Sequence, residues 1–201
     1  MSTRICCPVP TYLESAVKTL GCADDIGQIQ KFIFWRKGNN TTVASAITST
    51  YWSTALTATG DSKAVVSPFL ANFEVEPGEP REFGGANETR DGIPIIKGSE
   101  ATNATGRFYQ EDQAIVAKMK SWSCENLDVI LINENGQFIY DDRDGSNFYG
   151  FPLRSFNIKD LRIGGYTDPD YNEFSFSLVP DWSDSLVKGA ATTFALDLVN
   201  S

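Results

Sequence analysis

Short segments in which apolar and polar residues alternate are the sequence feature that most constrains the fold. Residues 172–179 read Asn-Glu-Phe-Ser-Phe-Ser-Leu-Val, and positions 174–178 alternate strictly between apolar and polar side chains. Successive side chains of a strand point to opposite faces, so a period of two predicts a half-buried β-strand. Thirteen Phe, seven Tyr and four Trp residues also favour a β-rich chain, because aromatic side chains pack well on a pleated sheet.

The same criteria predict seven or eight short strands along the chain. The sequence Asn135-Gly136 between two apolar runs is a strong signal for a tight hairpin, and it joins two of these strands. Pro94 places its own strand at an edge, because proline cannot donate a ladder hydrogen bond. The predicted strands cover 27–36, 63–75 with a break at Pro68, 93–97, 102–109, 127–132, 137–140, 150–158 and 172–179.

Two helices are predicted between these strands. Residues 110–123 have apolar side chains on one side, acids at the start and lysines toward the end, which complements the helix dipole. A smaller surface helix in the Thr-rich stretch 39–62 is expected to cover one end of the core. The apolar residues at helical spacing are Ile115, Val116, Met119 and Trp122 in the first helix, and Tyr51, Trp52, Ala55 and Leu56 in the second.

This order of elements predicts a mainly β fold, a β-sandwich or barrel with one packed α-helix. We expect residues 27–201 to form a single domain, because no linker or internal repeat divides them. Residues 1–26 are interpreted as an N-terminal extension with a short helix that ends at Gly21. Residues 193–199 are expected to close the chain as a terminal extension.

Residues 76–92 form the most unusual stretch, with Gly, Pro and charge around a single aromatic, Phe83. Loops of this length in compact domains tend to be functional or disordered. Three interpretations stay open: a plain loop, an assembly arm whose charges pair with a neighbouring copy, and an anion site at Gly84-Gly85. The anion site lacks a phosphate-loop context and a lysine. The candidate subunit-contact residues are Arg81, Glu82, Phe83, Glu88 and Arg90.

The absence of histidine narrows the possible chemistry, since histidine is the commonest general base and metal ligand. Ser-His-Asp and Cys-His nucleophile arrangements are therefore impossible. Carboxylate-pair or lysine chemistry stays open, but no motif indicates it. The cysteines do not show the paired spacing typical of zinc sites. We expect no catalytic residue, no metal and no cofactor, and reduced thiols at Cys6, Cys7, Cys22 and Cys124.

The charge of the chain argues against a protein that binds nucleic acid through its phosphates. Its net charge is −9, whereas phosphate binding needs a basic face. Residues 141–184 contain nine acids against four bases. One interpretation is an acidic surface that only keeps the protein soluble. The other is that these acids line the inside of a ring of subunits and repel a polyanion that passes through it. Asp168, Asp170 and Glu173 are the candidate lining acids.

The segment 141–146, Asp-Asp-Arg-Asp-Gly-Ser, resembles part of a calcium loop. Its glycine comes too early and the closing glutamate is missing, so we interpret it as a solvated hairpin tip. The first fifteen residues have no long apolar stretch of a secretory signal. No part of the chain approaches the roughly 20 apolar residues that span a bilayer, so we expect no membrane partner.

Residues 93–184 resemble the phage tail-tube family in the order of their elements. A strand that ends in an aromatic precedes an acidic helix entry, a strand-turn-strand pair and a final Phe-Ser-Phe-Ser-Leu strand. The whole chain also resembles virion proteins of phages of gut Bacteroidetes, through residues 76–85 and 169–178. The quoted motifs are Gly106-Arg107-Phe108-Tyr109, Glu111-Asp112-Gln113-Ala114-Ile115, Val129-Ile130-Leu131-Ile132 and Asn135-Gly136.

The resemblance implies a non-enzymatic virion protein that is made in the host cytoplasm and forms rings, commonly hexameric. Such rings stack into a tube through which DNA passes without specific binding, in contact with other virion proteins. In that family a long loop and the termini contact adjacent rings, which matches residues 76–92 and 1–26 here. The N-terminal 26 residues and the insertion around 39–62 depart from the family pattern.

Two other functions remain open at this stage. The first is a capsid decoration, head-fibre or neck protein, which would form trimers or monomers that never stack. The second is a small enzyme or glycan-binding domain that uses aromatic side chains as stacking platforms. The aromatic candidates for the second are Trp35, Tyr149 and Tyr166.

Overall fold

The computed structural model describes residues 26–89 and 91–200. Almost all of the expected N-terminal extension, with Cys6, Cys7 and Cys22, therefore lies outside the described residues, and so does Arg90. The helices are α1 (Val43–Ala46), α2 (Ser49–Thr57), α3 (Gln113–Lys120) and α4 (Thr193–Asn200), with short 3₁₀ turns at Gly60–Ser62 and Ser121–Cys124.

The described residues form one large curled sheet and a separate two-stranded sheet. The mainly β fold predicted from the sequence is confirmed. In chain order the strands are β1 (Ile29–Arg36), β2 (Asn40–Thr42), β3 (Val65–Val66), β4 (Ala71–Glu76), β5 (Pro80–Phe83), β6 (Ile95–Ser99), β7 (Thr102–Tyr109), β8 (Leu127–Asn133), β9 (Gln137–Asp141), β10 (Asn147–Tyr149), β11 (Phe151–Ile158), β12 (Tyr171–Leu178) and β13 (Leu186–Ala191).

The antiparallel pair β1–β8 lies at the centre and is buried on both faces. Phe32 and Phe34 point into one hydrophobic core, whereas Ile33 and Trp35 point into another. Strand β8 divides in the same way, with alternate residues in each core. Strands covered on both sides read as continuous apolar runs, which explains the sequence of both strands.

The first core lies between the β1–β8 pair and the sheet β11–β12–β7–β4. Phe32 is its centre, because edge-to-face contacts of 5.0 to 5.8 Å between ring centroids join it to four other rings. This is a favoured arrangement for aromatic pairs. The four rings belong to Phe34, Phe73, Phe174 and Phe176.

The second core lies on the other side of the β1–β8 pair and is covered by helices. Trp52 of α2 stacks on Trp35 and on Phe138, with ring centroids 5.9 and 5.4 Å apart. Its indole N–H donates to the Ala46 carbonyl at 2.7 Å, which satisfies its polar group inside the core. The surface helix predicted around Trp52 is therefore confirmed.

Strand β12 pairs with β7 over eight residues without a register shift. The alternation that predicted β12 is realised, since Phe174, Phe176 and Leu178 are buried while Ser175 and Ser177 face outward. Gly106 of β7 has a packing reason, because a side chain there would meet the Phe174 ring at 2.5 Å.

Helix α3 is confirmed but is shorter than expected, since it runs over Gln113–Lys120 and continues as a 3₁₀ turn. Asp112 caps its start by accepting a hydrogen bond from the Ala114 N–H at 2.8 Å. Ile115 is largely exposed, so only Val116 and Met119 of the expected apolar side are fully buried. None of the helices among the described residues has the length and apolar character to cross a bilayer.

Four expectations need correction. The terminal extension is helix α4, whose Ala195 and Val199 pack in the second core. Strand β13 was not foreseen, and the described residues contain more strands than the seven or eight expected. Several helices pack on the sheet rather than one, and part of the expected loop 76–92 is strand β5.

The central position of Phe32 leads to a first prediction. Phe32→Ala should lower the free energy of unfolding by about 3–5 kcal/mol, the usual range for a phenylalanine removed from a core. Phe69→Ala is the matched control, because Phe69 is 48% exposed and surface substitutions stay within about 0.5 kcal/mol. Urea denaturation measures both, and equal losses would contradict the placement of Phe32.

Candidate functional site

The described residues hold no group of three His, Cys, Asp or Glu side chains placed to bind a metal ion. A groove of about 390 Å³ lies between α3 and the edge strand β3. Its floor and walls are mainly apolar, with Trp122, Met119 and Pro68 among them, and Lys63 and Lys118 also line it. The more distinctive features are two exposed surfaces, a projecting hairpin and the outer face of a sheet.

The hairpin consists of β5 and β6 and is called here the arm (residues 78–100). It pairs only with itself among the described residues, with Glu82 opposite Ile96 and Phe83 opposite Ile95. The segment expected as an unstructured loop is thus partly a strand. Its base is tight, because the Glu100 N–H donates to the Glu79 carbonyl at 2.8 Å and a side chain at Gly78 would lie 2.2 Å from the Glu100 oxygen.

The tip of the arm is a compact turn. Gly84 and Gly85 have φ values of +78° and +111°, which glycine adopts at low cost. The Thr89 hydroxyl donates to the Ile93 carbonyl at 2.8 Å and closes the turn. The tip is therefore held by its own backbone and hydroxyl contacts.

The arm leaves its large apolar residues exposed. Lys97 lies over the Phe83 ring, 4.0 Å from the centroid, and Arg81 and Glu82 are exposed beside Phe83 on β5. Of the contact residues proposed from the sequence, three thus share one strand, and Glu88 lies at the tip. The exposed apolar residues of the arm are Phe83, Ile93, Ile95 and Ile96.

The outer side of the sheet β11–β12–β7–β4 is called here the polar face. Strand register aligns its side chains in rows: one row runs Arg154–Ser177–Asn103–Glu76, and the next runs Asn157–Ser175–Thr105–Glu74. In a third row Glu173 lies opposite Arg107. These side chains are exposed or half-buried, so the inner face alone supplies the core.

Two edges of this sheet have unpaired backbone among the described residues. Strand β4 pairs with β7 only. Strand β11 pairs with β8 only at Phe151 and Pro152, so its remaining length is bonded on the β12 side alone. Unpaired strand edges are templates for pairing with another chain.

The three candidate lining acids lie at one end of the polar face. Glu173 is on the face itself and forms an ion pair with Lys159. Asp170 accepts a hydrogen bond from the Gly164 N–H at 2.8 Å, and Asp168 is exposed in the same loop. The structure thus brings the three together, although two of them also have structural roles.

Other acids of the 141–184 region are used locally. Asp141 is buried, pairs with Arg143 at 2.5 Å and accepts from the Ser185 hydroxyl at 2.6 Å. Asp160 pairs with Lys120 at 2.5 Å. The excess of acids in this stretch is therefore not one continuous charged surface.

Asp144 fixes the turn between β9 and β10. Both carboxylate oxygens accept hydrogen bonds, from the Asn147 side chain at 2.7 Å, the Asn147 N–H at 2.8 Å, the Tyr149 hydroxyl at 2.9 Å and the Ser146 N–H at 3.0 Å. The bonds from Asn147, followed by the others, lower the pKa of Asp144 to about 2. The hairpin-tip interpretation of residues 141–146 is confirmed.

The aromatic side chains considered for glycan stacking do not form a platform. Trp35 is 2% exposed, so it cannot meet a ligand, and its interpretation as a platform is wrong. The Arg143 guanidinium already covers the Tyr149 ring, with its Cζ atom 4.7 Å from the ring centroid. Only Tyr166 is fully exposed.

The loop that joins β11 to β12 is called here the receptor loop (residues 159–170). Sequence reasoning selected Asp168, Asp170 and Tyr166 from this loop but missed its apolar residues Leu161 and Ile163. Leu161, Ile163 and Tyr166 are exposed in it. The loop is ordered, since Arg162 and Tyr171 exchange two backbone hydrogen bonds of 2.9 and 3.1 Å. Apolar residues next to a Gly-Gly turn, outside any strand pattern, were the signal that would have found it.

Neither models of known protein families nor curated protein sequences match the chain. Among solved structures, the SPP1 tail tube, from solid-state NMR and cryo-electron microscopy, is similar at 12% identity and a TM-score of 0.44, covering 88% of this chain and 85% of the other. The six-fold symmetrised baseplate of the anti-feeding prophage is similar at 6% identity and a TM-score of 0.38, covering 86% of this chain and 99% of the other.

The lowered pKa of Asp144 predicts a pH-dependent contribution to stability. An acid whose pKa falls on folding stabilises the folded state above its ordinary value of 3.8 and loses that effect as pH falls toward 2. Asp144→Asn should therefore lower the Tm at neutral pH, with a difference that shrinks below about pH 4. Tyr149→Phe removes one donor and should show a smaller change of the same sign. A Tm difference that is constant with pH would contradict the assignment.

Proposed function

We propose that this chain is a structural subunit of a phage tail, and that its copies form rings that stack into a tube through which DNA passes. The observation that carries the proposal is the arm, whose apolar residues project from a body that already has two cores of its own. Apolar side chains of this kind mark surfaces that bind another protein. The sequence resemblance to tail-tube proteins supports the same assignment.

The sheet behind the polar face suits ring closure. Its free edges at β4 and along most of β11 allow β4 of one copy to pair with β11 of the next. With six copies, the ring order that the resemblance implies, four strands each would give about 24 strands and a perimeter of about 115 Å at about 4.8 Å per strand. Barrels of about 16–18 strands already enclose an aqueous channel.

In such a ring the polar face would line the channel. It carries both signs of charge, with Arg107 beside Glu173, and with Arg154 and Glu76 at the two ends of one row. Asp168 and Asp170 add negative charge at one end. A lining without a continuous basic stripe does not neutralise phosphates, so DNA would slide rather than bind.

The arm would connect one ring to the next. A two-stranded hairpin is marginally stable alone in water, and packing against a neighbouring copy would stabilise it. Arg81, Glu82 and Glu88, together with Arg90, supply charges for pairing around the apolar contact of Phe83. Charges around an apolar centre are typical of interfaces.

Electron microscopy of the purified protein tests the assembly. The wild-type chain should form rings and stacked tubes, and Phe83→Ala with Arg81→Glu should leave folded rings that do not stack, because the arm loses its anchor and reverses a charge. Phe69→Ala with Lys63→Glu is the matched control, since it makes the same changes elsewhere on the surface, and it should stack normally. Trimers that bind a capsid shell and never stack would instead indicate a decoration protein.

The charge of the channel lining gives a separate prediction. Asp168→Lys with Asp170→Lys should make assembled tubes retain short duplex DNA in a salt-dependent way and should slow genome ejection from virions that carry it. Because Asp170 also holds the Gly164 N–H, Asp168→Lys alone should give the same effect more weakly. Asp184→Lys, the same charge change in another turn, should have none. Equal DNA retention by all variants would place these acids outside the channel.

A further inference from the structure

We infer that the receptor loop (residues 159–170) binds the arm of the next copy along the tube axis. The inference rests on the proposed function and adds to it the second half of the ring-to-ring contact. The partner is another copy of this chain.

The exposed apolar residues are concentrated in these two segments. Eleven large apolar side chains are exposed among the described residues, and seven of them lie in the arm or the receptor loop. Single exposed apolar residues are normal on a protein surface, but clusters mark binding sites. The seven are Phe83, Ile93, Ile95 and Ile96 in the arm, and Leu161, Ile163 and Tyr166 in the loop.

The two segments lie at opposite ends of one sheet. The arm leaves β4 after Glu76 and re-enters at Thr102, which pairs with Leu178 at the end of β12. The receptor loop enters β12 at Tyr171, which pairs with Tyr109 at the far end of β7. Eight residues of strand at about 3.3 Å each separate the two ends by about 25 Å.

This placement determines what kind of contact can form. A contact between two arms would be isologous and would stop at a pair of copies, whereas a contact between unlike ends repeats along an axis without closing. Because the apolar clusters lie at the two ends of the strands, arm-to-loop binding stacks copies along the strand direction. The same geometry extends a ring into a tube.

The two surfaces also offer opposite charges next to their apolar residues. In the arm, Glu82 is exposed beside Phe83, and in the loop Arg162 is exposed between Leu161 and Ile163. Glu82 of one copy can therefore pair with Arg162 of the next. An ion pair of this kind helps to fix the register of an interface and disfavours wrong partners.

The receptor loop is also ordered in the free chain. The paired backbone bonds between Arg162 and Tyr171 and the bond from the Gly164 N–H to Asp170 hold it, and the Arg162 guanidinium contacts the Tyr171 hydroxyl. An ordered loop loses little conformational freedom on binding, which favours affinity. Tyr166 is fully exposed, and tyrosine is enriched among the residues that dominate interface energies.

A complementation experiment with two variants tests the inference. The loop variant, Ile163→Ser with Tyr166→Ser, keeps a functional arm; the arm variant, Phe83→Ala with Arg81→Glu, keeps a functional loop. Each alone should form rings but no tubes, with stacking weakened by about tenfold or more per contact. Mixed together, they should form pairs of rings, because one intact arm surface meets one intact loop surface. Negative-stain microscopy and light scattering measure the products.

The controls separate the alternatives. Ile47→Ser with Phe69→Ser removes two other exposed apolar side chains and should leave tubes intact. A loop variant that stacks like the wild type would overturn this inference alone, and a loop variant that forms ring pairs by itself would indicate arm-to-arm contact and overturn it too. A wild-type chain that forms neither rings nor tubes would overturn both the inference and the proposed function.

Discussion

The pairing of β1 with β8 is the constraint on which the rest of the structure depends. Both strands are buried on both faces, so each supplies side chains to two cores. Phe32 and Trp35, three residues apart, lie on opposite sides of the same strand. One sheet and one layer of helices must therefore cover this pair, which gives the order helices, central strands, outer sheet.

Because the central pair faces the outer sheet with a full layer of aromatic side chains, that sheet needs only its inner face for the core. Its outer rows, from Arg154 to Glu76 and from Asn157 to Glu74, can then be polar without loss of packing. Antiparallel sheets commonly leave one face to solvent. The fold thus provides an extended polar surface and two strand edges, at β4 and along most of β11, that have no ladder partner among the described residues.

Much of this arrangement could be predicted from the sequence where the local pattern and the tertiary environment agree. The alternation in 174–178 and the Asn135-Gly136 turn predicted β12 and the β8–β9 hairpin, because burial on one face and a positive φ at Gly136 are local requirements. Helix α4 was missed because eight residues are too few to be helical alone, and it forms by packing Ala195 and Val199 into the second core.

The elements to which the proposed assembly assigns subunit contacts were harder to predict for the same reason. Strand β5 was interpreted as loop because the segment 76–92 around it is rich in Gly, Pro and charge without alternation, and the strand forms by pairing with β6. The residues Phe83, Glu82 and Arg81 could be selected from composition, but their grouping on one strand could not. Tyr166 was selected only as a stacking platform and Ile163 was not selected, since apolar residues outside a periodic segment do not by themselves indicate burial or exposure. Their position next to a Gly-Gly turn was the available signal.

The register of β7 with β12 connects the fold to the proposed direction of assembly. A slip of one residue would turn Phe174 and Phe176 outward and place Glu173 and Ser175 in the core, so the register is strongly specified. The same register sets the arm at one end of the sheet and the receptor loop at the other. The side chains that stabilise the first core therefore also determine which surface lies at each end of the sheet. Because the two ends differ, copies that stack end to end in the proposed way would all point in the same direction along the axis.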